Sequence, residues 1–180
     1  MADYEIVIAG FGGQGLLFSG KVLAYAGLLE GRELSWLPSY GPEMRGGTAN
    51  CNVILSDTPV GSPIVDHPHV LMVMNAPSLD KYENAVKEGG CIFLDSTLIT
   101  REVERKDVKV YRVPATQMAN DMGMAGLANM ILLGAVIAET GCISEEGIPE
   151  ALKKVIPARK MNLLEANLKA LEAGREYVKG

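Results

Sequence analysis

Three cysteines stand in 180 residues, Cys51, Cys91 and Cys142, and none forms a C-x-x-C pair. Alone, this chain therefore holds neither an iron–sulfur cluster nor a structural zinc, and three reduced, mostly buried thiols are expected. Histidine is scarcer still. His67 and His69 flank Pro68, lack an obvious third metal ligand, and read as loop residues before a strand. No Ser/His/Asp or Cys/His arrangement and no paired-carboxylate motif is apparent. Positive charge is in deficit, at a net -5, which argues against a nucleic-acid partner. No run of 18 apolar residues occurs, so no membrane span is expected. The chain enters a strand by about Tyr4 without a signal-peptide pattern, and a cytoplasmic location is expected. Binding equipment is present; catalytic equipment is not visible.

What is present begins at Tyr4. Glu5-Ile6-Val7-Ile8-Ala9 is a β-branched run, Gly10-Phe11-Gly12-Gly13-Gln14-Gly15 a glycine turn, and Leu16 to Leu29 an apolar segment of helical period. Strand, tight loop and helix make the opening half of a βαβ unit. Gly10, Gly12 and Gly15 satisfy G-x-G-x-x-G, and amides at such a turn favour anions. Dinucleotide binding makes a further demand, an acidic residue at the end of the next strand. That strand ends Trp36-Leu37-Pro38-Ser39, without a carboxylate, and Glu33 stands at its wrong end. No Gly-Lys-Ser/Thr follows the turn, which excludes a Walker A loop. A phosphate cradle, a surface closely approached by a partner's backbone, and a structural turn all remain open.

Along the chain, strands are expected at Glu33–Leu37, Thr48–Ser56, Val70–Met74, Cys91–Asp95 and Val108–Val113, with Ile64-Val65 as a short extra partner. In Thr48–Ser56 the residues Ala49, Cys51, Val53 and Leu55 share one face, opposite a partly polar one. Helices are expected at Ala76–Lys87, Leu127–Ala138, up to Val155 behind Ser144, and after a cap at Asn162, with Leu164, Leu168, Leu171 and Val178 on one stripe. Continuous apolar strands with helices between them indicate an α/β fold: three αβα layers, a mainly parallel Rossmann-like sheet, helices on both faces. The whole of 1–180 reads as a single domain. The helix Leu127–Ala138 is apolar nearly all round, and its cover is either this chain's core or another subunit. With the methionine-rich stretch Ala115–Met124 before it, it predicts that the isolated chain self-associates. Asn129 is its only polar residue and must find a partner if buried.

The loop Tyr40 to Thr48 offers Arg45 among small residues, able to present its guanidinium fork to a phosphate or carboxylate, while Gly46 and Gly47 admit a close ligand or neighbouring chain. The glycine turn, followed at this distance by Ser39-Tyr40-Gly41-Pro42-Glu43-Met44-Arg45-Gly46-Gly47-Thr48-Ala49-Asn50-Cys51, resembles the gamma subunit of 2-oxoacid:ferredoxin oxidoreductases. The likeness continues through Gly61-Ser62-Pro63 and the helix at Asn129, and so covers most of the chain. The Glu43-Met44-Arg45-Gly46-Gly47-Thr48 version looks more like the 2-oxoglutarate and branched-chain (ketoisovalerate) types than the pyruvate type.

The resemblance implies a division of labour. Thiamine diphosphate, magnesium, iron–sulfur clusters and the decarboxylation belong to alpha, beta and delta-type subunits, and ferredoxin takes the electrons from the complex. This subunit would close over the coenzyme A side of the site. Its working residues would be Gly12, Gly13, Gln14 and Gly15 of the turn, Tyr40, Glu43, Met44, Arg45, Gly46, Gly47 and Thr48 of the loop, and Asn129; no catalytic residue or metal ligand is implied. Alternatives are the related indolepyruvate oxidoreductase small subunit, a nucleotide-binding regulator or dehydrogenase, and an assembly subunit without ligand contact.

Overall fold

The computed structural model describes residues 3–39 and 48–180. The strand β1 (Tyr4–Phe11) lies inside a six-stranded sheet with β2 (Glu33–Ser39), β3 (Thr48–Ser56), β4 (Val70–Val73), β5 (Cys91–Asp95) and β6 (Lys109–Val113), in the order β2-β3-β1-β4-β5-β6. The strands β1, β4, β5 and β6 run parallel. β3 is antiparallel to both β1 and β2, so the sheet is mainly parallel with one reversed strand.

That reversed strand corrects the simple βαβ picture. After helix α1 (Leu16–Leu29) the chain returns as β2, yet β2 does not pair with β1. A hairpin brings β3 between them, with Ile8 opposite Cys51. Here β2 ends two strand spacings from the glycine turn, roughly 10 Å away. The position that holds a ribose in dinucleotide folds is therefore displaced, whatever residue stands there. The short partner at Ile64-Val65 does not form; those residues lie outside any strand.

Successive side chains of β1 point to opposite faces and seed two cores. Ile6 and Ile8 join a large cluster with residues of α1, α3 (Ala115–Asp121), α4 (Ala128–Thr140), α5 (Ile148–Val155) and α6 (Leu164–Lys179). Val7 and Ala9 join a smaller one with Leu79 of α2 (Ala76–Tyr82) and with Ile99 and Val103 of the β5–β6 connection. Both faces are covered, unequally.

Every residue of α4 from Ala128 to Ile137 is buried, and its cover is α6 together with α1, α3 and the sheet. The all-apolar helix is thus a core helix of this chain. Covered in this way from Ala128 to Ile137, α4 gives no reason of its own to expect self-association. Leu163, not Asn162, precedes α6, and no side chain caps it; Asn162 belongs to the 3-10 turn Ala158–Leu163. Glu165 and Lys169 pair across one turn at 3.2 Å. Among the described residues no helix is long and apolar enough to cross a membrane.

Candidate functional site

α1 follows β1 onto one face of the sheet, while α2 follows β4 onto the other. The adjacent strands β1 and β4 therefore bracket a topological switch point, where open α/β sheets take their ligands at the strands' carboxyl ends. Gln14 spans it. Its Oε1 accepts the Phe11 N–H at 2.7 Å, and its Nε2 donates to the Met74 carbonyl at 3.1 Å.

Gly15 begins α1 with φ 76°, in the left-handed region that favours glycine. A Cβ there would also lie 2.5 Å from Asn129 Nδ2. That nitrogen donates to the Gly15 carbonyl at 3.0 Å and to Ser19 Oγ at 3.2 Å. Asn129 is only 3 % exposed, and its Oδ1 has no partner among the described residues. The buried asparagine thus ties the start of α4 to the start of α1. Neither helix start carries a side-chain cap or an acidic residue in its first turn. Among the described residues no acidic side chain neutralises the amides there, and the helix dipole adds to their preference for an anion.

Beside this junction is a cavity of about 260 Å³, lined in part by Gly13, Gln14, Met74, Thr116, Asn120 and Asn129. Of the expected working residues, Gly13, Gln14 and Asn129 come together at it, Gly12 lies in the same turn and Gly15 starts the helix behind it. Thr48 opens β3 opposite Phe11, and Ser39 ends β2 opposite Asn50. Tyr40, Glu43, Met44, Arg45, Gly46 and Gly47 lie outside the described residues; the strand ends on either side of them are at the glycine-turn end of the sheet.

Sequence reasoning missed Met74, Thr116 and Asn120, and the residue that positions one of them. Asp95 is fully buried at the end of β5. It accepts from the Thr97 N–H at 3.1 Å and from Thr116 Oγ at 2.6 Å, fixing the start of α3. An aspartate closing an apolar strand just before Ser96-Thr97 was the available signal.

Replacing Asn129 by aspartate is expected to lower stability by about 2 kcal/mol at pH 7, because a buried carboxylate cannot donate to the Gly15 carbonyl. The α1 dipole offsets only about 0.3–1 kcal/mol of that. Burial beside an acceptor raises this carboxyl's folded-state pKa, so the deficit is absent at low pH and grows as pH rises through that value. Urea titrations of Asn129→Asp at several pH values measure it. A pH-independent deficit would count against the donor role.

His67 Nδ1 lies 3.2 Å from the Ala85 carbonyl, and His69 Nδ1 accepts the Glu5 N–H at 3.1 Å. Both serve the far end of the sheet. All three cysteines are free; Cys51 and Cys142 are buried, and Cys91 is half-buried. Burial pushes the Cys51 thiol up to about 12 and raises those of Cys142 and Cys91. Iodoacetamide at pH 8 should therefore label Cys91 first in the native chain, and Cys51 and Cys142 only after unfolding, as read by peptide mass spectrometry. Equal native labelling of all three would contradict the burial.

The pyruvate ferredoxin/flavodoxin oxidoreductase family matches residues 5–177. The ketoisovalerate oxidoreductase subunit VorA of Methanothermobacter thermautotrophicus is 45 % identical over 179 residues, 98 % of this chain; the chain spans 37 % of that relative's length. The solved keto/oxoacid ferredoxin oxidoreductase gamma subunit of Geobacter sulfurreducens superposes with a TM-score of 0.81 at 32 % identity, covering 96 % of both chains. The 2-oxoglutarate:ferredoxin oxidoreductase of Magnetococcus marinus, solved with 2-oxoglutarate, coenzyme A and succinyl-CoA bound, gives a TM-score of 0.88 at 26 % identity over 99 % of this chain and 31 % of that one. With its mainly parallel sheet, its glycine turn and these matches over nearly its full length, the chain belongs to the pyruvate ferredoxin/flavodoxin oxidoreductase family.

Proposed function

We propose that this chain is the gamma component of a cytoplasmic 2-oxoacid:ferredoxin oxidoreductase, that residues 1–180 act as one gamma-type domain, and that it holds coenzyme A for the acyl-transfer half of the reaction. Alpha, beta and delta-type components carry thiamine diphosphate, magnesium and the iron–sulfur clusters, and ferredoxin receives the electrons. The observation that carries the reading is the junction of two helix starts at the switch point, without side-chain caps and tied together by a buried asparagine. Such a site fits a polar, anionic ligand. The relative solved with coenzyme A and succinyl-CoA supports the identity of that ligand.

In this reading the amides of Gly12, Gly13 and Gly15 face a phosphate, and Gln14 keeps the turn in register by its bonds to Phe11 and Met74. Asn129 holds the turn from behind, its Nδ2 donating to the Gly15 carbonyl and to Ser19 Oγ. Arg45, between Met44 and Gly46, supplies the two-pronged cation, with Tyr40, Glu43, Gly47 and Thr48 completing the loop. The coenzyme supplies the thiol that takes up the acyl group. The chain's own part is to bind and orient it.

Phenylglyoxal modification of the assembled enzyme tests this. Coenzyme A should slow modification of Arg45, and the 2-oxoacid should not. Modification at an unchanged rate, accompanied by loss of subunits, would favour an assembly role without ligand contact.

A further inference from the structure

A second, larger cavity lies at the opposite end of the sheet from the glycine turn. It measures about 440 Å³, within the range of small-molecule sites, and opens between the strand starts, the α2–β5 connection and the end of α4. Two aromatic rings wall it. Tyr4 is fixed by its hydroxyl, which donates to the Thr140 carbonyl at 2.7 Å. Tyr111 is fixed by stacking on Phe93, with ring centres 4.5 Å apart. Such walls suit an apolar group. Cys91, at the start of β5, also faces the space.

One rim sets two donors side by side. His69 Nδ1 accepts the Glu5 N–H at 3.1 Å. Burial, with the Lys87 charge beside it, lowers the His69 pKa, so the ring is neutral at pH 7. A neutral ring whose Nδ1 accepts carries its proton on Nε2. Lys87 Nζ lies 3.3 Å from that Nε2, and an ammonium only donates. Glu5 takes one Lys87 hydrogen through an ion pair and leaves two. Two donors cannot bond each other, but one carboxylate accepts from both.

The other rim has the opposite sign. Glu139 stands in the last turn of α4, at the negative end of the helix dipole, and no basic residue shares that turn. Helix end and carboxylate together call for a cation. The Glu139 charge reaches the cavity: burial raises the pKa values of Tyr111 and Cys91, and Glu139 adds to both. Lys109 and Glu88 bring one charge of each sign, so the lining as a whole suits neither a simple anion nor a simple cation.

We propose that this cavity binds a free α-amino acid with an apolar side chain: its carboxylate accepts from Lys87 and His69 Nε2, its ammonium donates to Glu139, and its side chain lies against Tyr4 and Tyr111. A zwitterion answers both rims at once and leaves the net charge of the site unchanged. No residue of the glycine-turn site takes part, so the proposal stands whether or not that turn holds coenzyme A.

Calorimetric titration of the 180-residue chain with leucine tests it, against 4-methyl-2-oxopentanoate, which lacks the ammonium, and 3-methylbutylamine, which lacks the carboxylate. Leucine should bind at least about tenfold more tightly than either. Lys87→Met should weaken leucine and the oxoacid several-fold and leave the amine unchanged. Glu139→Gln, at an exposed position, should weaken leucine and the amine and leave the oxoacid unchanged. Saturating leucine should also slow iodoacetamide labelling of Cys91. Thermal unfolding checks that both variants fold; if Lys87→Met does not, Glu139→Gln and the Cys91 labelling decide. Leucine binding no tighter than the amine or the oxoacid, leucine binding unaltered by Glu139→Gln, or an unchanged Cys91 labelling rate overturns the proposal.

Discussion

Gly174→Ala is expected to lower the unfolding midpoint by roughly 6–12 °C, from a loss of about 3 kcal/mol. A Cβ on Gly174 of α6 would stand 1.7 Å from the Ile131 carbonyl oxygen of α4, and one on Gly134 of α4 would stand 2.0 Å from the Leu171 carbonyl oxygen of α6. These are backbone atoms, with no flexible side chain to give way. The helices must separate by roughly an ångström or more, and a gap of that size forfeits about a quarter to a half of each dispersion contact across it. Alanine's better helix propensity returns only about 1 kcal/mol, so the clash wins. The double variant Gly134→Ala with Gly174→Ala should cost less than the sum of the singles, because helices already moved apart admit the second methyl. Thermal melts of the three variants measure this. A stabilised Gly174→Ala would mean that α4 and α6 do not pack backbone to backbone.

This helix pair also marks where the sequence stopped being legible. The all-apolar pattern of Leu127–Ala138 predicts a helix covered on every side, and α4 is such a helix. What covers it depends on Gly134 meeting α6 forty residues later, and nothing local distinguishes those glycines from others in helices. The strands show the same division. Alternation in Thr48–Ser56 identified β3 and its buried face, since each side chain's direction is a local property. Its place between β1 and β2 depends on pairing across long separations, which the alternation does not encode. Asn129 could be singled out because one amide in an apolar helix needs a partner. Asn167 could not, because α6 is amphipathic and polar residues are ordinary there. It shares a cavity beside α1 with Asn129, and only the fold brings the two together.

Arg45→Ala in the assembled enzyme is expected to raise the Michaelis constant for coenzyme A roughly 10- to 150-fold, corresponding to about 1.5–3 kcal/mol for a hydrogen bond to a charged group. The 2-oxoacid constant should stay nearly unchanged, since the proposed division of labour assigns decarboxylation to another component. Two features of the chain support assigning this effect to Arg45. The segment carrying it is bounded by Ser39 and Thr48, both at the glycine-turn end of the sheet, so its ends share that end with the α1 start. Its neighbours Met44, Gly46 and Gly47 bring no competing charge. Arg45→Lys should recover only part of the loss, because an ammonium cannot make the two-pronged contact that a guanidinium makes with phosphate. Raising the salt concentration should weaken coenzyme binding by the parent enzyme more than by Arg45→Ala, since the variant has already lost the screened charge. The dissociation constant for the remaining components separates this from a structural role. If Arg45→Ala leaves the coenzyme constant alone and instead releases the chain from its complex on a sizing column, the arginine joins subunits and the coenzyme's phosphates are held elsewhere.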